Sequence, residues 1–414
     1  MRLVDFSSTS SNPPNLGAGT ENRIFNLNLE LSKKCNVFQF SFLPHVYVYV
    51  RKKKLIKSIF SRDIPLKSRT INVTEKYVEY VAINPFLLLH DYIVWRWHLG
   101  SQLPVFFPFS LDRSSLCLAK RKIIKSDLVQ VEKPWLFDWV FRNTPKKKPI
   151  ILVEHDLIYL MYHKRCKEKT LKMIREIERR AVERSDHIFV MSKIDMDILS
   201  DMYHIEKDKI HVVPNGVDTT RFKPSTEEEK MAIKRRFGLS SKRIALFVGG
   251  RHFPNVEAVR AIHYIASELK NNNIIFLIAG NVGEVFNRKK TQNILYTGYV
   301  KDIKPYFKMA DIAINPVFSG GGTNIKMLEY LASGLPVVTT SFGARGLSLQ
   351  KNRHITISDL EEFPDKIIYL LSKKSLYRRL SEEGRKTTVK HYDWKVIAKR
   401  AIEIYDKIAN TRSE

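Results

Sequence analysis

The chain of 414 residues is too long for one ordinary core, and its length points to two domains of about 200 residues each. With 44% hydrophobic residues and 27% charged residues spread along its length, it is excluded from the disordered class. A net charge of +27, shared evenly by the two halves, favours anionic partners: nucleic acid, acidic lipid headgroups or sugar phosphates.

Taken in order, the chain opens with a short apolar strand, Arg2–Ser7, and shows no long apolar leader segment. A helix is expected over Glu21–Lys34 and a strand over Val37–Leu43. Residues 45–60, "HVYVYVRKKKLIKSIF", set aromatic and aliphatic side chains beside five basic ones. That composition suits a segment lying on an anionic membrane surface, and equally a strand and helix with a solvated basic face. The charge-free runs 35–50 and 97–111 fall short of the ~18 residues that span a bilayer, so a soluble or peripheral cytoplasmic protein is expected. Strands follow at Asp127–Glu132, Pro149–Glu154 and His187–Met191, with a helix over Lys164–Arg184. "SKIDMDILSDMY" contains an Asp-Met-Asp triplet that mimics a metal-binding motif. Carboxylates at the start of a helix also complement its dipole, so Asp195 and Asp197 are read as a helix start and no metal site is expected. The three cysteines, Cys35, Cys117 and Cys166, lack metal-ligand spacing and fit a reducing compartment.

The turn residues of "VVPNGVDTTRFKPSTEEE" mark a boundary, giving domains over 1–215 and 216–390. Beyond it, strands are expected at Arg243–Gly249, Ile274–Ala279, Ile294–Thr297, Ile312–Asn315, Pro336–Thr340 and His354–Ile357. Helices are expected at Val256–Leu269, Asn324–Ala332 and Leu360–Leu371. Residues 391–414 form a closing helix packed across the junction. Alternating strands and helices in both halves imply an α/β fold of two Rossmann-like, doubly wound parallel sheets, with ligands at the C-terminal ends of the strands.

One stretch there needs explaining. "SGGGTNIKMLEYLASGLPVVTT" places three glycines before a helix and a lysine in its first turn. A cation there opposes the helix dipole. An anion bound above the helix start removes the conflict. The glycines Gly320, Gly321 and Gly322 allow close backbone approach, and the N–H groups of Gly322, Thr323 and Asn324 face the ligand. Lys326 then becomes a partner of that anion. Glu329 lies six residues beyond Thr323, about 9 Å of helix rise, at a distance suited to ribose hydroxyls when a diphosphate sits at the helix tip. His155, at the end of the strand before "DL", is a candidate for a charge-stabilising role, with a satisfied strand-end histidine as the alternative. Glu132 ends the preceding strand and is a weaker acid candidate, its alternative being a surface carboxylate paired with Lys133.

These residues resemble glycosyltransferase family 4, the group 1 transferases of GT-B fold. "GGGTNIKMLEYLASGLPVVTT" is similar to that family's donor-site signature. "PPNLGAGTENRIFNLNLEL", "IILVEHD", "ERSDHIFVMSKID", "IHVVPNGVDTTRF", "FVGGRHFPNVEAV", "YTGYVKDIKPYFKMADIAINP" and "YDWKVIAKR" follow the family's order. The resemblance implies two domains facing a cleft and metal-free, retaining transfer of a sugar from a nucleotide-diphospho-sugar, UDP- or GDP-linked, with no cofactor. The acceptor would be a glycan or lipid-linked molecule. It implies ribose binding by Glu329, diphosphate binding by Gly320 to Asn324 with Arg251 and Lys326, and base contacts near Tyr299 and Val300. Gly17 and Gly19 would border the cleft, and His155 would act in catalysis. The sequence departs from the family's paired glutamates, because Gly321 stands at the first position. "PNV" (254–256) stands where a lysine is common, and Lys326 substitutes for it electrostatically. A sugar-nucleotide epimerase of the same form stays open. A basic nucleic-acid-binding protein is the rival of another class, although no recognised nucleic-acid motif is present and no specific nucleic acid is expected.

Overall fold

The computed structural model describes residues 1–7, 19–42, 68–82, 113–163, 166–286 and 293–410. Gly17, the basic segment 45–60 and the aromatic stretch 86–109 lie outside the described residues. The chain divides into two units, one of residues 1–15, 20–213 and 398–414, the other of residues 16–19 and 214–397. Among the described residues no helix is long and apolar enough to cross a membrane.

The first unit is built on strands β1 (Arg2–Ser7), β2 (Asn36–Phe42), β3 (Arg69–Asn72), β4 (Tyr77–Ala82), β5 (Leu128–Glu132), β6 (Ile150–Glu154), β7 (His187–Val190) and β8 (Ile210–Val212). They form one sheet in the order β3-β4-β2-β1-β5-β6-β7-β8. All neighbours are parallel except β3, which runs antiparallel to β4. The expected doubly wound parallel sheet is thus present, with β3 added antiparallel at its edge. Only four residues separate β3 from β4, too few for a crossover, so the pair must turn back as a hairpin. Helices α1 (Gly19–Leu31), α2 (Glu168–Arg184) and α3 (Lys193–Tyr203) flank the sheet. One face is apolar, with Val4, Phe6, Phe38, Phe40, Val129, Val131 and Leu152 in the core. Because side chains alternate along a strand, the intervening residues point the other way. There Glu79, Gln39, Asp5 and Gln130 stand in register as a buried polar row.

The second unit has strands β9 (Arg243–Val248), β10 (Ile274–Ala279), β11 (Ile294–Gly298), β12 (Ile312–Asn315), β13 (Val337–Thr339) and β14 (Thr356–Ile357). Their order is β11-β10-β9-β12-β13-β14, all parallel. The chain runs outward from β9 through β10 and β11, then returns to place β12 on the other side of β9. The gap above β9 and β12 is therefore the switch point where such sheets take ligands. Helices α4 (Phe253–Glu268), α5 (Ile325–Ala332), α6 (Lys374–Tyr392) and α7 (Trp394–Asn410) complete the fold, with separate apolar cores on the two sides of the sheet. The first turn of α7 belongs to this unit and its remainder, from Ala398, to the first. Trp394 fixes one neighbour: a Cβ on Gly216 would lie 2.6 Å from its ring, so only glycine fits there.

The far ends of β9 and β12 are pinned by one buried acid. Asp311 Oδ2 accepts from the Ile244 N–H (2.7 Å) and from Lys234 Nζ (2.6 Å), and both charged side chains are 4% exposed. Asp311 returns its own N–H to the Ile244 carbonyl at 2.9 Å. Lys234→Met should destabilise the second unit by about 3 kcal/mol, the lower end for stripping one partner from a buried pair. Denaturant unfolding of the isolated protein checks this, and a loss below 1 kcal/mol would show that Lys230 or Arg243 replaces Lys234 beside Asp311.

Candidate functional site

At the C-terminal end of β12 the chain passes through Gly320 (φ +127°) and Gly322 (φ +57°), conformations that disfavour other residues. Asn324 then precedes α5 in extended conformation and gives no side-chain cap. Its amide turns away, donating from Nδ2 to the Gly343 carbonyl at 3.1 Å. As a result the backbone N–H groups of Gly322, Thr323, Asn324, Ile325 and Lys326 have no acceptor among the described residues. Five adjacent donors at the positive end of a helix are the arrangement to which an anion is attracted. Thr323 is held in place by Asn215, whose Nδ2 donates to Oγ1 at 2.8 Å.

Lys326 extends from the first turn of α5 toward the loop after β9. Its Nζ donates to Asn255 Oδ1 (2.6 Å) and lies 4.3 Å from the Phe247 ring centre. It thus reaches the 254–256 segment where the family's lysine is absent. Burial pushes the ammonium down to about 7, with the Glu329 charge opposing. Glu329, one turn further on, is pushed up to about 7 by burial, against the charges of Arg221 and Lys326. Its carboxyl takes no hydrogen bond among the described residues. Without a ligand, both groups are close to giving up their charges. A diphosphate and a pair of hydroxyls would supply what each lacks.

The loop after β9 carries Arg251, whose side chain is exposed and whose N–H donates to Asn281 Oδ1 at 2.7 Å. A Cβ on Gly280 would meet the Gly249 carbonyl oxygen at 2.3 Å, so the β9 and β10 loops touch through glycine backbone. Tyr299 and Val300 follow β11, and the Tyr299 side chain is 64% exposed. Gly320 and Gly321 are exposed on the loop before α5, and Gly19 is exposed at the first position of α1. Ser319, one residue earlier, donates its hydroxyl to Glu257.

In the first unit, His155 directly follows β6 and Glu132 ends β5. His155 Nε2 and Glu132 Oε2 are in direct hydrogen-bond contact. Glu132 is 3% exposed and is not the surface partner of Lys133 that its sequence neighbourhood allowed. Burial raises its carboxyl to about 7, while the Arg23 charge opposes. Burial, then Lys133 and Arg23, hold His155 well below its ordinary value. Behind Glu132 stands Gln130, donating to Glu132 Oε1 at 2.7 Å and accepting from Tyr405 at 2.5 Å. Arg23 donates to the Val213 carbonyl at 2.9 Å. Lys133 itself has φ 72° and ψ 156°, a strained conformation for a residue with a side chain, set between Glu132 and Pro134. After His155, the loop is fixed by Glu178, which accepts from the Ile158 N–H and the Tyr203 hydroxyl, each at 2.5 Å.

Sequence reasoning missed Asn215, Asn255, Asn281, Gln130 and Arg23. Each is an ordinary polar residue in its local stretch, and only its distant partner reveals it. The Asp-Met-Asp triplet is a helix start: Asp195 lies in the first turn of α3, and its N–H donates to the Ser192 hydroxyl at 3.1 Å. Among the described residues no group of three His, Cys, Asp or Glu is placed to hold a metal.

Residues 242–373 match the family described as "Glycosyl transferases group 1", and residues 83–221 match "Glycosyltransferase Family 4". An uncharacterized glycosyltransferase of Methanocaldococcus jannaschii is 25% identical over 280 residues, 64% of this chain and 70% of that protein. Mannosylfructose-phosphate synthase of Agrobacterium fabrum is 23% identical over 243 residues, 53% of each chain, so the chain spans about half the length of this curated relative. Among solved structures, HepE of Anabaena in complex with UDP and glucose has a TM-score of 0.67 at 11% identity, covering 97% of this chain and 99% of that one. That likeness shows the fold.

The charges of Lys326 and Glu329 make the protein's stability sensitive to pH. The folded value of Lys326 lies below its ordinary 10.5, so its destabilising effect is full below about 7 and fades as pH rises toward 10.5. The folded value of Glu329 lies above 4.5, so stability falls as pH rises from 4.5 to about 7. Lys326→Met should raise the melting temperature of the ligand-free protein by about 2–4 °C at pH 6, with the gain shrinking by pH 10. Thermal scans at the two pH values check this. A variant that melts below wild type at pH 6 would make Lys326 a structural residue.

Proposed function

Because the chain belongs to the group 1, family 4 glycosyltransferases of GT-B fold, we propose that it moves a hexose from a nucleotide-diphospho-sugar, UDP- or GDP-linked, to a hydroxyl of a glycan or lipid-linked acceptor. The observation that supports this reading is the row of five amides at the start of α5 that have no acceptor among the described residues, beside Lys326 and Glu329. The leaving group of such a reaction is a nucleoside diphosphate, and its charge grows as the bond to the sugar breaks. Fixed amide dipoles and the Lys326 and Arg251 cations stabilise that charge at no cost in reorganisation. On this reading they meet it without a metal, and transfer retains the donor's anomeric configuration. Glu329 accepts hydrogen bonds from the ribose hydroxyls, and the backbone near Tyr299 and Val300 meets the base. The UDP bound by the Anabaena structure supports a uridine donor, with guanosine as the alternative.

His155 is assigned to the transfer step itself, with Glu132 holding its ring. An imidazole pinned through Nε2 presents Nδ1 to the reaction as a fixed polar group. His155→Ala should lower kcat by about 10²-fold or more, the scale of a lost polar catalytic group, while the Kd for nucleotide changes less than twofold. Equal kcat in a folded variant would return His155 to a packing role.

The donor assignment is tested by a screen of UDP- and GDP-hexoses with the full chain, followed by Glu329→Ala. That variant should stay folded and lose ~1.5–3 kcal/mol of donor affinity, the value of a charged hydrogen bond. Transfer should persist in EDTA. Unchanged nucleotide affinity would remove Glu329 from the site, activity lost in EDTA and restored by Mg²⁺ would require a metal, and sugar epimers formed without acceptor would mark an epimerase.

A further inference from the structure

Two asparagines hold one peptide bond at the edge of the anion site. The Gly250 carbonyl accepts from Asn255 Nδ2 at 2.9 Å, and the Arg251 N–H of the same peptide donates to Asn281 Oδ1 at 2.7 Å. Asn255 then turns its Oδ1 to Lys326 Nζ at 2.6 Å. The orientation of this amide is fixed by chemistry, since a lysine only donates and a carbonyl only accepts. The space is filled: a Cβ on Gly249 would lie 3.0 Å from both Asn255 Cγ and the Phe247 ring. One side chain thus ties together the two segments that carry cations, the Arg251 loop and the first turn of α5. Those segments are 71 positions apart at the Asn255–Lys326 bond.

We propose that Asn255 and Asn281 are positioning residues for the anion site. Asn281 fixes the direction of the backbone at Arg251. Asn255 sets that loop against Lys326, and it does so with a neutral amide. A carboxylate in its place would hold the ammonium equally well but would neutralise it, leaving less charge for a diphosphate. An alkyl side chain would leave the half-buried ammonium without its hydrogen-bond acceptor and would take from the Gly250 carbonyl one of its two donors, the other being the His252 N–H at 2.7 Å. The amide holds the cation in place and keeps its charge available. This inference rests on reading the site as a nucleoside diphosphate site.

The experiment is calorimetric titration of the full chain with UDP and GDP between pH 6 and 9, with uridine or guanosine as the phosphate-free control. Wild-type affinity for the preferred diphosphate should fall as pH rises above about 7, where Lys326 loses its proton. If wild type binds neither diphosphate, the donor-site reading fails before the asparagines are tested. Asn255→Asp should pair with Lys326, weaken diphosphate binding about tenfold, and move the pH step up by about one unit, since one pKa unit is a tenfold change in proton affinity. Nucleoside affinity should change less than twofold. Asn255→Ala should lose diphosphate affinity selectively, which keeps the test available should the aspartate variant not fold. Asn281→Ala should weaken the diphosphate without moving the step. The proposal is overturned if Asn255→Asp keeps the wild-type pH step, or if the Asn255 variants lose nucleoside and diphosphate affinity in equal measure.

Discussion

The second unit is organised around an unmet electrostatic demand. Among the described residues, a helix begins with no capping side chain, five amides without acceptors, and a lysine whose charge is disfavoured by burial. Each of these is costly by itself, and all three would be relieved by the diphosphate that the proposed reaction places there. The features around them serve that arrangement. Glycines at positive φ bring the chain into α5, Asn215 fastens Thr323, and Asn255 draws Lys326 toward the neighbouring loop. The sheet order that opens a gap above β9 and β12 supplies the place. Asp311 locks the other ends of those two strands, so the loops at the site spring from a fixed base.

The first unit has its own version of the same strategy. Most parallel sheets bury apolar residues on both faces. Here one face carries Glu79, Gln39, Asp5 and Gln130 in a row, joined by Tyr77, Asn28 and Tyr405. Burial raises Asp5 well above the ordinary carboxyl range, and the nearby Glu132 charge raises it further. Such a row is costly unless its members satisfy one another. It ends at Glu132 and His155, so the network also fixes the ring of the residue at the strand edge. What the network fixes is orientation: the imidazole is pinned at Nε2 by the Glu132 carboxyl, which is itself held by Gln130.

Much of the fold was legible from the chain because it is written in local patterns. β-branched runs, amphipathic periods and turn residues placed β1, β2, β5 to β7 and all six strands of the second unit within a few residues. The strands β3 and β4 were missed because Arg69, Glu75, Lys76 and Glu79 break the apolar pattern, and Glu79 is met by Gln39 and Ser41 on a strand about 40 residues earlier. The glycine loop, Lys326 and Glu329 were legible because glycine conformation and helical spacing act over a few residues.

What the sequence by itself determined is therefore the set of elements, the doubly wound class and the segment that begins with three glycines. What only the tertiary structure decided is which polar groups meet. Glu132 is placed against His155 across 23 positions, Arg251 against Asn281 across 30, and Lys326 against Asn255 across 71. Each pairing depends on strand order, which brings together loops far apart in the chain. The charge state of each group then follows from how much water the surrounding packing removes. Periodicity records which residues face inward, but a hydrogen bond between two loops exists only once the sheet between them has formed.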